Sequence, residues 1–440
     1  MQRLRLALHS VFRSIGNPGY RKFLLGQVVS SMGTWMQTVA QGLLVLSLSG
    51  KGVNLGLTVL LQVAPMALLS PIAGVWADRV DKRSLLLVTN TVAGGQALLL
   101  GFLVASDRAT LPIVYGMAFV LGVVSAIQMP TQQAFVAELV VGPDLANAVN
   151  VNLMMMNVAR VIGPAIAGLT AATVGIAACF FLNGASFLAV IVALFLIRAA
   201  ERTPTARQQR QSGQLREGIA HVRRNPELAG AWWMNLVYCM LAWEFEVSVP
   251  LLVTQTFGAS AGTYGLMFAA LGAGAVVGGA WGASRHHPSH RDQLLAALVS
   301  GAGMLGTAFA PNLYVAFVTV AIGGGAIVCW WGILSGIYQL EIDPSFRARA
   351  TALWLAGLQA GRPAGALLIG FVAQQFGARA PFLVGAFGCL LAITVWSHVS
   401  GHGVRAALAS RTPVSPASPG IEQEAETEAH VVETEFISEP

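Results

Sequence analysis

Apolar windows of about 20 residues recur along this 440-residue chain and are separated by short polar segments. A run of that length crosses the roughly 30 Å hydrocarbon core of a bilayer as an α-helix. A polar stretch at 198–228 divides the windows into two sets of six. The pattern predicts an all-α integral membrane protein with twelve transmembrane helices in two six-helix bundles. The predicted spans are 23–48, 54–76, 84–105, 112–136, 147–172, 176–197, 229–255, 262–283, 293–310, 312–339, 349–375 and 379–399.

The same pattern predicts the organisation of the whole chain. We expect a cytoplasmic N-terminus at 1–22, bundles at 23–197 and 229–399, a cytoplasmic linker at 198–228, and a disordered cytoplasmic tail at 400–440. The tail is rich in Pro and Ser and then acidic, a composition that buries too little apolar surface to fold. No cleavage site follows the first apolar run, so we expect the first helix to remain in the mature protein.

The two sets of six also repeat one another. Asp144 precedes Pro164 by 20 residues, and Asp343 precedes Pro363 by the same interval. Each stretch leads from a predicted inner loop into a helix that carries Arg and Pro. Internal repetition of this kind indicates two bundles related by pseudo-symmetry.

Composition and charge agree with a membrane protein. The chain is 55% hydrophobic and 10% charged, with mean hydropathy +0.65, whereas soluble domains are roughly 25% charged. With the N-terminus inside, predicted inner segments carry 21 of the 26 Lys and Arg residues and outer loops carry 3. This bias places both termini in the cytoplasm. It also accounts for the net charge of +6 without a nucleic-acid partner.

A cluster of five charges stands between the second and third predicted spans. It occupies residues 74–83, which read G-V-W-A-D-R-V-D-K-R. The segment resembles the loop between helices 2 and 3 of major facilitator superfamily transporters, roughly G-x-x-x-D-R-x-G-R-R/K. The matching positions are Gly74, Asp78, Arg79, Lys82 and Arg83, and Asp81 replaces the usual Gly. The resemblance implies an inner gate in which Asp78 meets the N-terminal end of helix 11, beside Arg347 and Arg349.

Further motifs indicate a branch of that superfamily. Segments 17–41, 130–135 and 157–164 are similar to those of drug:H+ antiporters and siderophore exporters, a branch that includes the enterobactin exporter and macrolide efflux proteins. The resemblance implies proton-driven export of small amphipathic molecules by a monomer that alternates access across a bacterial inner membrane. It also implies that Gly163, Pro164 and Gly168 bend helix 5 and pack it closely on its neighbours.

Polar side chains inside the spans are candidate substrate ligands. Thr34, Gln37 and Gln41 share one face of helix 1, and such a face is costly against lipid. We expect it to line a watery cavity with Gln128, Gln132 and Asn157, and plain interhelical hydrogen bonding is the alternative. Arg160 and Arg362 are intramembrane cations, suited either to an anionic substrate or to helix-end carbonyls.

Two carboxylates, Glu244 and Glu246, lie within the seventh predicted span. Buried carboxylates exchange protons near neutral pH, which a proton antiporter requires. On a regular helix the two side chains point in nearly opposite directions. Glu246 shares its side with smaller, more polar residues, so we predict that it carries the proton. The alternative is that both carboxylates pair with Arg160 or Arg362.

Other classes of function find little support. No nucleophile elbow, phosphate-binding loop or zinc-ligand spacing occurs in a suitable context, so we expect neither an enzyme nor a cofactor. His286, His287 and His290 cluster in an inner loop, where solvation is the usual state and no metal is expected. Two alternatives to export remain, namely a facilitator or uptake carrier of the same fold and a transport-inactive sensor or scaffold. The direction of transport distinguishes an uptake carrier from an exporter. A sensor or scaffold would tolerate substitutions at Glu246 and Arg160, whereas a transporter would not.

Overall fold

The structure, a computed structural model, describes residues 13–77, 80–203, 214–285, 288–342 and 346–410, together with 412 and 414. The N-terminal half consists of α1 (Pro18–Ser49), α2 (Gly52–Ala77), α3 (Lys82–Ala105), α4 (Leu111–Leu139), α5 (Leu145–Thr173) and α6 (Ile176–Leu196). A linker helix, α7 (Gln214–Arg224), follows. The C-terminal half consists of α8 (Pro226–Leu241), α9 (Phe245–Leu251), α10 (Ala261–Ala283), α11 (His290–Ala308), α12 (Leu313–Leu340), α13 (Arg347–Phe376), α14 (Ala380–Ser400) and the short α15 (Val404–Ala409).

The predicted twelve spans are confirmed. Within the described ranges, ten segments are long and apolar enough to cross a membrane, and one of them, Pro226–Thr256, combines α8, α9 and a π-helical turn. The other two spans are α1 and α11, of 32 and 19 residues. Their lower hydropathy reflects buried polar side chains such as Gln27, Gln37 and Gln293, which face the protein and not lipid.

Pseudo-symmetry is visible in the helix pairs. In the first half α1 packs on α5 and α6, α2 on α4, and α3 on α4 and α6. In the second half α8 packs on α13 and α14, α10 on α12, and α11 on α12 and α14. Each pair in one half therefore has a counterpart six spans later, as expected for two repeats of one bundle.

The seventh span is interrupted in its middle. α8 ends at Leu241, and α9 begins at Phe245. Between them, the Phe245 amide donates to the Trp243 carbonyl at 2.9 Å around Glu244, whose backbone angles are φ −82° and ψ 52°. These values describe an inverse γ-turn. The continuous helix assumed from the sequence is therefore wrong at this point, and the directions of the side chains on either side change accordingly.

The two halves meet through backbone contacts that we call the glycine seal, formed by Gly52, Gly56, Gly168, Gly265 and Gly370. Here α2 packs along α13, and α5 packs along α10. A Cβ atom on Gly56 would lie 2.3 Å from the Ala366 carbonyl oxygen, and one on Gly370 would lie 2.5 Å from the Gly52 carbonyl oxygen. Only a residue without a side chain permits such approach. These contacts lie at the helix ends that the charge distribution predicts outside.

Candidate functional site

A cluster of charged side chains lies where α9 faces α13. The Arg362 Nη2 atom donates to Glu246 Oε1 at 3.2 Å, and Arg362 Nε lies 3.6 Å from Glu244 Oε1. Both glutamates therefore meet one guanidinium, which is the pairing given above as the alternative to proton transfer by Glu246, and the expectation of opposite directions is wrong. The inverse γ-turn at Glu244 explains the difference, because it rotates α9 relative to α8. Among the described residues, Arg362 therefore pairs with two carboxylates and not with the helix-end carbonyls that were one of its two expected partners.

The two glutamates differ in environment. The side chain of Glu244 has no solvent exposure, and neither of its oxygens accepts a hydrogen bond from the part of the chain that the structure describes. The side chain of Glu246 is 21% exposed and holds the hydrogen bond to Arg362. Glu246 is thus the carboxylate that solvent reaches, and Glu244 is sealed behind it.

Arg160 of α5 completes the cluster from the other half of the molecule. It lies close enough to interact electrostatically with both Glu246 and Arg362. Its guanidinium carbon lies 5.0 Å from the centre of the Trp35 ring, within cation–π range. Its Nε atom is shielded from solvent and has no hydrogen-bond partner among the described residues. The cluster therefore spans both bundles, and the Nε atoms of Arg160 and Arg362 both lack a hydrogen-bond partner among the described residues.

The polar face of α1 is engaged with neighbouring helices. Gln37 Nε2 donates to Gln96 Oε1 at 3.2 Å, and Asn183 Nδ2 donates to Gln37 Oε1 at 2.6 Å. The Thr34 hydroxyl donates to the Ser30 carbonyl within its own helix. The contacts of Gln37 correspond to the interhelical alternative, whereas the contact of Thr34 lies within α1. Substrate binding by Thr34 and Gln37 stays a prediction.

The remaining predicted cavity residues have different surroundings. Gln132 Nε2 donates to Gln27 Oε1 at 3.1 Å, and Gln128 Nε2 donates to Asn90 Oδ1 at 3.0 Å. Both Gln128 and Gln132 are half-buried. Gln41 is buried, whereas Asn157 is exposed. Gln41 and Asn157 therefore differ in solvent exposure, and substrate binding by either residue stays a prediction.

Gly163, Pro164 and Gly168 lie on the side of α5 that touches other helices. A Cβ atom on Gly163 would lie 2.6 Å from the Met32 carbonyl oxygen of α1. One on Gly168 would lie 2.8 Å from the Gly265 Cα atom of α10. The motif residues thus stand at the two closest approaches of α5, one to its own bundle and one across the glycine seal.

An ion-pair network lies at the predicted inner ends of α3 and α4. Lys82 Nζ contacts Glu138 Oε1 at 2.9 Å, and Arg202 Nη2 contacts Glu138 Oε2 at 2.8 Å and Asp81 Oδ1 at 2.7 Å. Glu138 is only 3% exposed. Asp81 also caps α3 by accepting from the Ser84 amide at 2.8 Å. The network ties the start of the linker to the first bundle.

The network includes one residue of the predicted inner gate. Lys82 belongs to it, and Arg83 donates to the Phe195 carbonyl at 3.4 Å. Asp78 and Arg79 lie outside the described residues, as do the side chains of Arg347 and Arg349 and the surroundings of Gly74. Sequence reasoning missed Glu138 and Arg202. The available signal was Asp81 itself, since a carboxylate in place of Gly requires a cation nearby.

Asp81, Arg202 and Glu201 are held ionised by their partners. Desolvation acts to raise the pKa of Asp81, but hydrogen bonds from Arg202 and Ser84 outweigh it and lower the pKa to about 2. At a second inner pair, the hydrogen bond from Lys22 lowers the pKa of Glu201. Arg202 has its pKa raised, because the hydrogen bonds and charges of Asp81 and Glu138 outweigh its desolvation. All of these groups are therefore charged at neutral pH.

Two six-helix repeats with intramembrane charges between them define a transporter of the major facilitator superfamily. Residues 9–432 match the family described as transmembrane secretion effector, and the chain belongs to that family. It is 24% identical to the enterobactin exporter EntS of Escherichia coli over 85% of this chain and 90% of the relative. It is 23% identical to the staphyloferrin A transporter of Staphylococcus aureus over 79% and 87%.

Solved structures agree on the fold. A bacterial homologue of the human lysosomal transporter Spinster superposes with a TM-score of 0.70 at 15% identity, covering 89% of this chain and 98% of that chain. The protein is therefore a membrane transporter and not an enzyme.

Proposed function

We propose that this chain exports small amphipathic molecules of the drug, antibiotic or siderophore class by proton antiport. It does so as a monomer in a bacterial cytoplasmic membrane, with both termini inside. The observation that carries the proposal is an intramembrane carboxylate, Glu246, that is 21% exposed and whose ion pair with Arg362 would be lost on proton uptake. The enterobactin exporter among its relatives supports export, and the 21-to-3 charge bias supports the orientation.

Glu246 is the proton-coupling residue in this proposal. The cluster holds two carboxylates and two guanidinium groups, so its charges balance when both glutamates are ionised. Proton uptake at Glu246 leaves an excess positive charge and weakens its hold on Arg362. An unbalanced charge in a medium of low polarity is costly, so the protonated cluster favours a different arrangement of the two bundles.

Substrate and proton compete for the same carboxylate. The ionised Glu246 accepts hydrogen bonds from substrate hydroxyl or amine groups on both oxygens, whereas protonation turns one oxygen into a donor and leaves the other as a weaker, uncharged acceptor. The unused Nε donor of Arg160 and the Trp35 ring beside it suit an acceptor-bearing aromatic group. The half-buried amides of Gln128 and Gln132 add donors and acceptors without selecting a charge. Such a site admits compounds that are partly apolar and partly hydrogen-bonding.

Everted membrane vesicles with an acidified lumen test the proposal. A macrolide and a catecholate siderophore serve as probes, and accumulation of either one in the lumen supports export. Glu246→Gln keeps the shape of the side chain but holds no exchangeable charge, so we expect accumulation driven by the pH gradient to be abolished. Asp107→Asn is the matched control, because Asp107 is exposed and its left-handed backbone (φ 55°) suits Asn.

Three outcomes count against the proposal. Transport by Glu246→Gln at the wild-type rate removes Glu246 from the coupling step. Accumulation only when the gradient is reversed indicates an uptake carrier. Loss of transport in both variants indicates damage to the fold and removes the support that the comparison gives to Glu246.

A further inference from the structure

Three potential metal ligands from distant parts of the sequence meet at the predicted inner end of the second bundle. Glu227 lies in the first turn of α8, His290 begins α11, and His402 follows the end of α14. One ligand atom of each lies within 4.8 Å of the others. Glu227 Oε2 is 3.8 Å from His290 Nε2, and Glu227 Oε1 is 2.5 Å from His402 Nδ1.

These distances are near those that a bound ion imposes. Zn²⁺ binds imidazole nitrogen and carboxylate oxygen at about 2.0–2.2 Å, so tetrahedral ligand atoms stand about 3.4 Å apart. The two separations from Glu227, which involve its two different oxygens, lie on either side of that value. Because all three ligand atoms lie within 4.8 Å of one another, side-chain shifts of about 1 Å bring them to the spacing of a tetrahedral site. Glu227 Oε1 is closed to solvent and accepts no hydrogen bond of normal geometry from the described residues. The carboxylate therefore retains coordinating capacity.

A second layer of contacts orients the histidines. Gln293 Oε1 lies 3.4 Å from His290 Nδ1, and Gln293 is fully buried, with its amide nitrogen donating to the Met234 sulfur at 3.0 Å. A proton on Nδ1 leaves Nε2 with its lone pair towards Glu227. Metal-binding histidines are typically held through the other ring nitrogen in this way. Trp396, buried and 5.2 Å from the His290 ring and 5.8 Å from the His402 ring, forms an apolar wall.

We propose that Glu227, His290 and His402 form a binding site for a divalent transition-metal ion of the Zn²⁺ type. Two imidazoles and one carboxylate are ligands of the borderline softness that Zn²⁺ takes, and they leave a fourth position for water. The ion joins the inner ends of spans 7 and 9 to the segment after span 12. The site is independent of the charge cluster at Glu246. It replaces the sequence-based expectation of solvated loop histidines at His290.

The test uses the full-length protein, purified in detergent with an affinity tag that contains no histidine. Equilibrium dialysis against Zn²⁺ followed by metal analysis should give one ion per chain. Co²⁺ in its place should show the absorption of a tetrahedral complex. His290→Ala and His402→Ala should each weaken binding at least tenfold. His398→Ala is the matched control, because His398 is exposed near the same end of α14 and is not one of the three ligands.

Stability separates loss of the site from loss of the fold. His402 is 46% exposed on a loop, so His402→Ala should keep the thermal unfolding midpoint of the metal-free protein. Added Zn²⁺ should raise the midpoint of wild type and of His398→Ala but not of His402→Ala. Absence of bound ion, or full binding in both ligand variants, overturns the proposal and leaves an ion pair between His402 and Glu227. Loss of binding only when His286 and His287 are replaced also overturns it.

Discussion

Closure of the glycine seal should be sensitive to a single methyl group at Gly265. In Gly265→Ala the new Cβ atom would lie 2.4 Å from Gly168 Cα and 2.5 Å from the Pro164 carbonyl oxygen. Non-bonded carbon atoms are most favourable at about 3.5–4.0 Å, so α5 and α10 must separate by about 1 Å or more. Both close atoms belong to the backbone of α5, so no rotamer change relieves the contact.

The size of the shift between closed and open molecules follows from the cost of overpacking the contact. Inserting a methyl group into a close-packed contact costs about 1–3 kcal/mol. The cost falls only on conformations in which the seal is closed, because the two helices separate when it opens. The ratio of closed to open molecules should therefore fall by a factor of roughly 5 to 150. Gly265→Ala should shift the protein towards the outward-open form without unfolding either bundle.

Distances between spin labels at the predicted outer surface measure that shift. Val174 and Tyr314 are suitable sites for introduced cysteines, because they are 75% and 84% exposed and belong to different halves. The four native cysteines are buried and react poorly with the label. Gly265→Ala should add a population at longer distance. Gly95→Ala is the control, since a Cβ atom there meets nothing within 4 Å. Identical distance distributions in the two variants would refute the reasoning.

Two more predictions concern the inner network. Glu138→Gln leaves Lys82 and Arg202 without their buried carboxylate, so the free energy of unfolding should fall by about 3–5 kcal/mol, measured by unfolding in detergent. Glu201→Gln, at a half-exposed pair, should cost below about 1 kcal/mol, and equal losses would contradict the assignment. Asp81→Asn keeps the helix cap but removes the ion pair with Arg202. The folded pKa of Asp81 is about 2, below its ordinary 3.8. The free energy of unfolding of wild type should therefore exceed that of Asp81→Asn by its full amount near neutral pH, and the difference should vanish as the pH falls towards 2. A difference that does not change with pH would contradict the ion pair between Asp81 and Arg202.

The positions of the helices are largely predictable, because each helix must cross the hydrocarbon core of the bilayer with its own backbone groups hydrogen-bonded. A span needs enough apolar length to cross, and most charged residues lie at its ends, so its position can be read from local sequence. The short ninth span, expected at 293–310, lies at His290–Ala308 in the structure. Its extra turn begins with Ser289, which caps the helix by accepting from the Asp292 amide.

The charge cluster was predictable in composition but not in geometry. Arg362, Glu244 and Glu246 stand out because charges are rare inside spans. Their arrangement depends on the inverse γ-turn at Glu244, and neither Gly nor Pro marks that turn in the sequence. A regular helix would leave one carboxylate away from Arg362. The inner network was equally hidden, since Glu138 and Arg202 are 64 residues apart and resemble ordinary helix-end charges.

The glycine seal and the ionic groups differ in how far their attraction reaches. Packed backbones lose a quarter to a half of their van der Waals attraction once a gap of only about 0.5–1 Å forms between them. Attraction between charges declines only as the inverse of distance. A junction made of Gly52, Gly56, Gly168, Gly265 and Gly370 therefore retains little of its attraction in a partly open state whose gap exceeds about 1 Å. Once α5 and α10 are further apart than that, the attraction between their backbones no longer closes the gap, so the outer end should open in a single abrupt step.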